Sequence, residues 1–239
     1  DYTGPARVSG SAGTGKTIVA LHRAAYLARQ NPDCRVLLTT FSDTLASALH
    51  TKLKRLVGSE PRLAERIDVL SLNAVGLRLT KAQQGPIKLV SRAAVREAID
   101  DASKAVDGHK FSLHFLVTEW EQIVDACQLT SWEDYRDVNR LGRKTRLPEP
   151  QRTLLWAIFE QTRAILAAQK LVTHAGMFTR LAATLKDNRH PPFDFVVVDE
   201  AQDLSVAHLR FLAALGANRP DALFFAGDLG QQIFQQPLS

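Results

Sequence analysis

The sequence predicts an α/β fold: a parallel sheet flanked by helices, interrupted by an inserted, mainly helical subdomain. Three observations carry the prediction. Short apolar runs without polar alternation recur in residues 1–85 and 191–239, each followed by a polar or glycine-rich switch and a helical period. That alternation is expected of parallel strands covered on both faces. Residues 86–190 instead read almost wholly as helix, and Gly85–Pro86 and Pro191–Pro192 punctuate the junctions. Finally, an eight-residue glycine-rich stretch separates the first strand from the first helix.

The expected strands are Ala6–Val8, Arg35–Thr40, Asp68–Ser71, Phe195–Val198 and Ala222–Ala226. Four helices should alternate with them: Lys16–Arg29, Thr44–Val57, Leu72–Gln83 and Leu204–Leu215. In the first of these, Val19, Ala20, Ala24, Leu27 and Ala28 share one face. Within the insertion, Ser91 caps a helix reaching Ile99, and Glu119–Ala126, Arg152–Gln169 and Gly176–Leu185 read as further helices. Leu154, Leu155, Ile158, Ile165 and Leu166 recur at helical spacing and are read as core.

With 239 residues, 45% of them hydrophobic and 23% charged, the chain has the composition of a globular protein with a sizeable core. No apolar run approaches the length of a membrane span, and the start has no signal-peptide pattern, so a cytoplasmic protein without membrane contact is expected. Cys34 and Cys127 fit no metal or redox spacing. A net charge of +5 and a pI near 9.4 permit a polyanionic partner without requiring one.

The glycine-rich stretch is "GSAGTGKT": Gly10, Ser11, Ala12, Gly13, Thr14, Gly15, Lys16 and Thr17. It satisfies the phosphate-loop pattern in the required setting between strand and helix. Its glycines allow turns in which successive backbone N–H groups face phosphate oxygens, and the helix N-terminus adds its dipole. Lys16 supplies a compact charge for the β- and γ-phosphates, and Thr17 a hydroxyl for Mg²⁺. "FDFVVVDEAQD" then places Asp199 and Glu200 at the end of a buried strand, where open α/β sheets bind ligands. Asp199 suits Mg²⁺ and Glu200 suits polarising a water. Taken alone, the acid pair reads equally as a helix N-terminus. "ALFFAGDLGQQIF" repeats the arrangement, so Asp228 and Gln231 are expected to face the same crevice, with Gln231 reaching a γ-phosphate oxygen.

Together these motifs resemble the first RecA-like domain of superfamily 1 helicases of the UvrD/Rep/PcrA type. "GSAGTGKT" resembles their motif I, "VVVDEAQD" motif II and "GDLGQQIF" motif III, while "LLTTFSDTLASAL" and "DVLSLNAVGLRL" are similar to motifs Ia and Ib. The resemblance implies a P-loop NTPase with a RecA-like sheet, residues 1–85 and 191–239, carrying an inserted helical subdomain, residues 86–190. It also implies ATP hydrolysis with Mg²⁺ coupled to 3′–5′ movement along single-stranded DNA, or at a single/double-strand junction. Lys16 and Thr17 would bind nucleotide and Mg²⁺, Asp199 would bind Mg²⁺, and Glu200 would be the catalytic base. Gln202 and Gln231 would couple nucleotide state to the track, with Asp228 beside them. Thr40, Phe41, Ser71, Asn73 and Phe234 would meet DNA, the aromatic rings by stacking worth about 1–3 kcal/mol per base.

The chain departs from the family pattern where Ser71-Leu72-Asn73 replaces a Thr-Phe-His step and where Ile18 stands in place of a frequent arginine. Motifs IV to VI do not occur in it, so it is expected to be the core of a longer enzyme. Three readings stay open: a helicase or translocase, a remodeller displacing a protein such as RNA polymerase in a repair or transcription complex, and a nucleotide-gated binding module. Two basic clusters, Arg140, Arg143, Lys144 and Arg146 in one and Lys52, Lys54 and Arg55 in the other, read either as phosphate contacts or as solvated surface.

Overall fold

The computed structural model describes residues 6–8, 15–138, 147–217, 219 and 221–227. They belong to two compact units, Asp1–Gln83 with Phe178–Ser239, and Gln84–Met177. The chain runs β1 (Ala6–Val8), α1 (Lys16–Gln30), β2 (Val36–Thr40), α2 (Asp43–Val57), the single turn α3 (Pro61–Ala64), β3 (Ile67–Ser71) and α4 (Leu72–Gln84). It continues with β4 (Lys88–Leu89), α5 (Arg92–Lys104), α6 (Leu113–Glu119), α7 (Trp132–Asp137), α8 (Glu149–Ala168) and β5 (Leu171–Val172). After α9 (His174–Leu185) come β6 (Phe195–Asp199), α10 (Val206–Gly216) and β7 (Leu223–Ala226). Among the described residues no helix is long and apolar enough to cross a membrane.

In the first unit, β1, β7, β6, β2 and β3 lie side by side in that order, all parallel. The fold class is the predicted one, and every expected strand forms within one residue of its expected ends. β2 and β6 are buried along their whole length, which explains their unbroken apolar runs. Alternate residues serve opposite faces. Val36, Leu38 and Val197 pack under α1 and α2, where Ala20, Ala24, Ala25 and Ala28 let α1 lie close to the sheet. Because the strands are parallel, their C-terminal ends share one edge of the sheet. Register sets Val8 opposite Ala226, Ala226 opposite Asp199, and Thr40 opposite Ser71 along it.

Helix α10 begins two residues later than expected. Residues Ala201–Asp203 form a 3₁₀ turn, and Ser205 caps α10 in a reciprocal capping box with His208. The expected start fell at Leu204 because that residue continues the apolar spacing ahead of the Ser205 cap.

The second unit is helical, with a small parallel pairing of β4 and β5 that the sequence did not signal. Two-residue strands carry too little pattern to register. The segment expected as a helix over Glu119–Ala126 is instead the end of α6 followed by a π-helical turn, Trp120–Val124. The wider turn closes through a 2.8 Å bond from the Asp125 amide to the Trp120 carbonyl. The core gathers Trp120, Tyr135, Trp156 and Phe159. Tyr135 stacks on Trp156 at 5.4 Å and meets Phe159 edge-on at 6.0 Å. Glu119 is fully buried here and accepts a 3.0 Å hydrogen bond from the Tyr135 hydroxyl. A buried acid thus sits where helical periodicity reads only apolar packing.

Candidate functional site

The shared edge of the first unit's sheet gathers the chemistry. Gly15 is the N-cap of α1, and its φ of 78° favours a residue without a side chain. Among the described residues no side chain caps this helix and no acid lies in its first turn, a helix start whose dipole suits an anion. The second residue of α1, Thr17, donates a 2.9 Å hydrogen bond to Asp199 Oδ2 at the end of β6. The motifs at the two ends of the chain therefore meet through side chains.

Asp199 is 4% exposed, and its Oδ1 has no hydrogen-bond partner among the described residues. Burial raises its pKa above the ordinary carboxylate range, and the neighbouring Glu200 charge raises it further. The Thr17 hydroxyl and the Glu200 amide act in the opposite direction, as does the Lys52 ammonium. A buried carboxylate oxygen without a donor, beside a threonine hydroxyl, fits a hard divalent cation. Among the described residues no group of three or more His, Cys, Asp and Glu side chains gathers for a metal. One carboxylate with a hydroxyl is a donor set suited to Mg²⁺ held largely by phosphates and water, not to a closed protein cage.

Glu200 follows with φ 54°, a left-handed backbone that non-glycine residues adopt at a cost of about 1–2 kcal/mol. Its Oε2 accepts a hydrogen bond from Gln202 Nε2, so the 3₁₀ turn orients the carboxylate from within. Gln202 Oε1 is buried without a partner among the described residues. Sequence reading placed Glu200 and Gln202 here but carried no signal for the backbone strain. It also missed Gly227, where a side chain would run into Ala201 and Gln202.

The residues assigned to a nucleic-acid track fall into different environments. Phe41 is 44% exposed just beyond β2. Thr40 is fully buried, and Asn73 Oδ1 is buried without a partner among the described residues. Ser71 is buried, and its hydroxyl donates to Asp43 Oδ1 at 2.5 Å while accepting the Ala74 amide at 3.2 Å. It caps α4 and ties it to the first turn of α2. Nothing in the sequence marked Asp43, because its partner lies 28 residues away.

Lys16 opens α1, beside Gly15 and Thr17. Gly10, Ser11, Ala12, Gly13 and Thr14 lie outside the described residues, as do Asp228, Gln231 and Phe234 and the basic cluster Arg140, Arg143, Lys144 and Arg146. Lys52, Lys54 and Arg55 lie on α2, the last two in its final turn, where positive charge suits the helix dipole.

Comparison with known proteins places the chain in a family. ATP-dependent DNA helicases PcrA from two strains of Staphylococcus epidermidis, RP62A and ATCC 12228, are each 24% identical to the chain over 245 residues, taking in 97% of it and 32% of the helicase. The chain thus spans about a third of the length of these curated relatives. Residues 1–236 match the UvrD/REP helicase N-terminal domain, and the chain belongs to that family.

Proposed function

We propose that the chain is the ATP-binding core of an ATP-dependent DNA helicase that uses Mg²⁺ and moves 3′ to 5′ along single-stranded DNA. The observation that carries the reading is the 2.9 Å link between Thr17 and Asp199 at the C-terminal edge of a parallel sheet, with Glu200 beside it. Membership of the helicase family supports the same reading, as do the PcrA relatives, which are ATP-dependent DNA helicases.

In this reading Lys16 and the N-terminal N–H groups of α1 hold the phosphates together with residues 10–15. Thr17 and Asp199 hold Mg²⁺, which when bound neutralises charge on the phosphate oxygens. Glu200, oriented by Gln202, takes the proton of the attacking water. Asp228 and Gln231 complete the nucleotide side. Phe41 presents its ring to the bases, with Phe234 as a second aromatic contact, while Thr40, Ser71 and Asn73 shape the edge of the track. The substrate is a single strand or a single/double-strand junction.

The test is ATP hydrolysis by the intact protein with and without single-stranded DNA. DNA should stimulate turnover, and Lys16→Ala should abolish nucleotide binding. Turnover indifferent to DNA would remove the helicase reading and leave a nucleotide-gated module. Strand displacement on a 3′-tailed duplex, against a 5′-tailed one, tests direction.

A further inference from the structure

Gly227 ends β7 at a place where three functional segments converge. Its amide donates a 3.2 Å hydrogen bond to the Val8 carbonyl, at the end of the strand that leads into the glycine-rich loop. On its other side lies the turn that follows Asp199. A Cβ built on Gly227 would stand 2.6 Å from the Ala201 amide nitrogen and 2.6 Å from Gln202 Oε1, and 3.3 Å from Ala201 Cα. The first conflict is with backbone, so a rotamer change does not relieve it. Ala201 is itself fully buried, so moving the turn means disturbing close-packed neighbours.

The turn held in this way carries Glu200 in its left-handed conformation and Gln202, whose amide bonds the Glu200 carboxylate. We propose that Gly227 is a positioning residue for hydrolysis: its missing side chain lets β7 press on Ala201 and Gln202 and thereby fixes where the Glu200 carboxylate points. The proposal rests on the reading of Glu200 as the base that activates water. Any side chain at 227 pushes the turn away from β7 and swings Glu200, while Thr17, Lys16 and the helix N-terminus that hold nucleotide stay in place. Turnover is then lost with binding retained. Small displacements of a reacting group are enough, since a shift near 1 Å lowers rates by about a hundredfold.

The experiment uses the intact protein carrying Gly227→Ala, Gln202→Ala, or both. Fluorescent ADP binding, DNA-stimulated kcat and KM, and thermal melting are measured for each. The expected result for Gly227→Ala is a kcat at least about thirtyfold lower, with KM and nucleotide Kd within about threefold of wild type. Gln202→Ala should lower kcat similarly, and the double variant should fall well short of the product of the two losses, because both act on Glu200. Unchanged kcat in Gly227→Ala overturns the proposal, and so does a parallel collapse of Kd, KM and melting temperature, which would make Gly227 a packing residue only. Should Gly227→Ala accumulate unfolded, Gln202→Ala alone decides: full turnover overturns the proposal, and loss of turnover with binding retained supports it. Glu200→Gln separates the two levels of argument. If it retains full turnover, the hydrolytic reading itself is wrong; if it stops turnover and Gly227→Ala does not, only the positioning role is.

Discussion

Thr17 Oγ1 and Asp199 Oδ2 stand 2.9 Å apart, although 182 residues separate them in the chain. The bond joins the first turn of α1 to the end of β6 and leaves Asp199 Oδ1 without a partner among the described residues. Thr17→Val keeps the shape and removes the hydroxyl. It is expected to lower Mg²⁺-dependent ATP turnover of the intact protein by about 10²–10³, the usual consequence of losing one preorganised polar group at a reacting phosphate. Thr17→Ser should retain most of the rate. Near-wild-type turnover in Thr17→Val would remove the threonine from the cation site.

Asp199 makes folding stability pH-dependent in a definite direction. Burial raises its pKa in the folded chain, so the folded state binds its proton more tightly than the unfolded state does. The contribution of Asp199 to stability is therefore most favourable below the ordinary carboxylate pKa of about 3.9 and is lost as pH rises from there through the folded value. Asp199→Asn removes this contribution. Its melting temperature should equal or exceed wild type at neutral pH in the absence of Mg²⁺, while Mg²⁺ no longer stabilises it. Melting curves across pH, with and without Mg²⁺, check both halves.

Much of this site was legible because its chemistry sits where the fold demands a change of pattern. Val196, Val197 and Val198 are apolar because β6 is covered on both faces, so Asp199 and Glu200 stand out at its end. Lys16 and Thr17 are marked by the glycines before them. What stayed hidden depends on proximity through space. Ser71 reads as a DNA contact, and the sequence gives no sign of the Asp43 and Ala74 partners found on its hydroxyl. Gly227 reads as turn chemistry until Ala201 is found against it. The π-turn at Trp120–Val124 and the buried Glu119 escaped for the same reason, since periodicity counts residues along a helix and not the partners that satisfy them.

Glu200 holds a φ of 54°, which glycine adopts without penalty. Glu200→Gly should therefore hold or raise the melting temperature, relieving about 1 kcal/mol of backbone strain, while turnover falls by about 10²–10⁴, the usual contribution of a general base. Glu200→Gln should lose turnover equally and still bind nucleotide. A destabilised Glu200→Gly variant would show that the turn depends on the side chain.

Phe41 exposes nearly half its surface beside the sheet edge. Phe41→Ala is expected to weaken single-stranded DNA binding by the intact protein by about 1–3 kcal/mol, with little preference among base sequences. Its melting temperature should move little, because an exposed ring contributes little to the core. Titrations with fluorescently labelled oligonucleotides of differing composition give the first number, and calorimetry the second. Lost stability with unchanged affinity would make Phe41 a packing residue.

Ser71 behaves differently from Phe41, although one ends β3 and the other follows β2 on the same edge. Its hydroxyl donates to Asp43 and accepts the Ala74 amide, so both of its hydrogen-bonding roles have a protein partner. Ser71→Ala should remove the cap of α4, costing about 0.5–2 kcal/mol, and free the first turn of α2 from α4. Single-stranded DNA affinity, measured well below the melting temperature, should stay within about twofold, because no hydroxyl is left over for a phosphate. Asp43→Asn keeps an acceptor for Ser71 and should be milder in stability, which separates loss of the cap from loss of the link. If Ser71→Ala instead weakens DNA binding as much as Phe41→Ala does, with melting unchanged, the hydroxyl belongs to the track and its bond to Asp43 must open when DNA arrives.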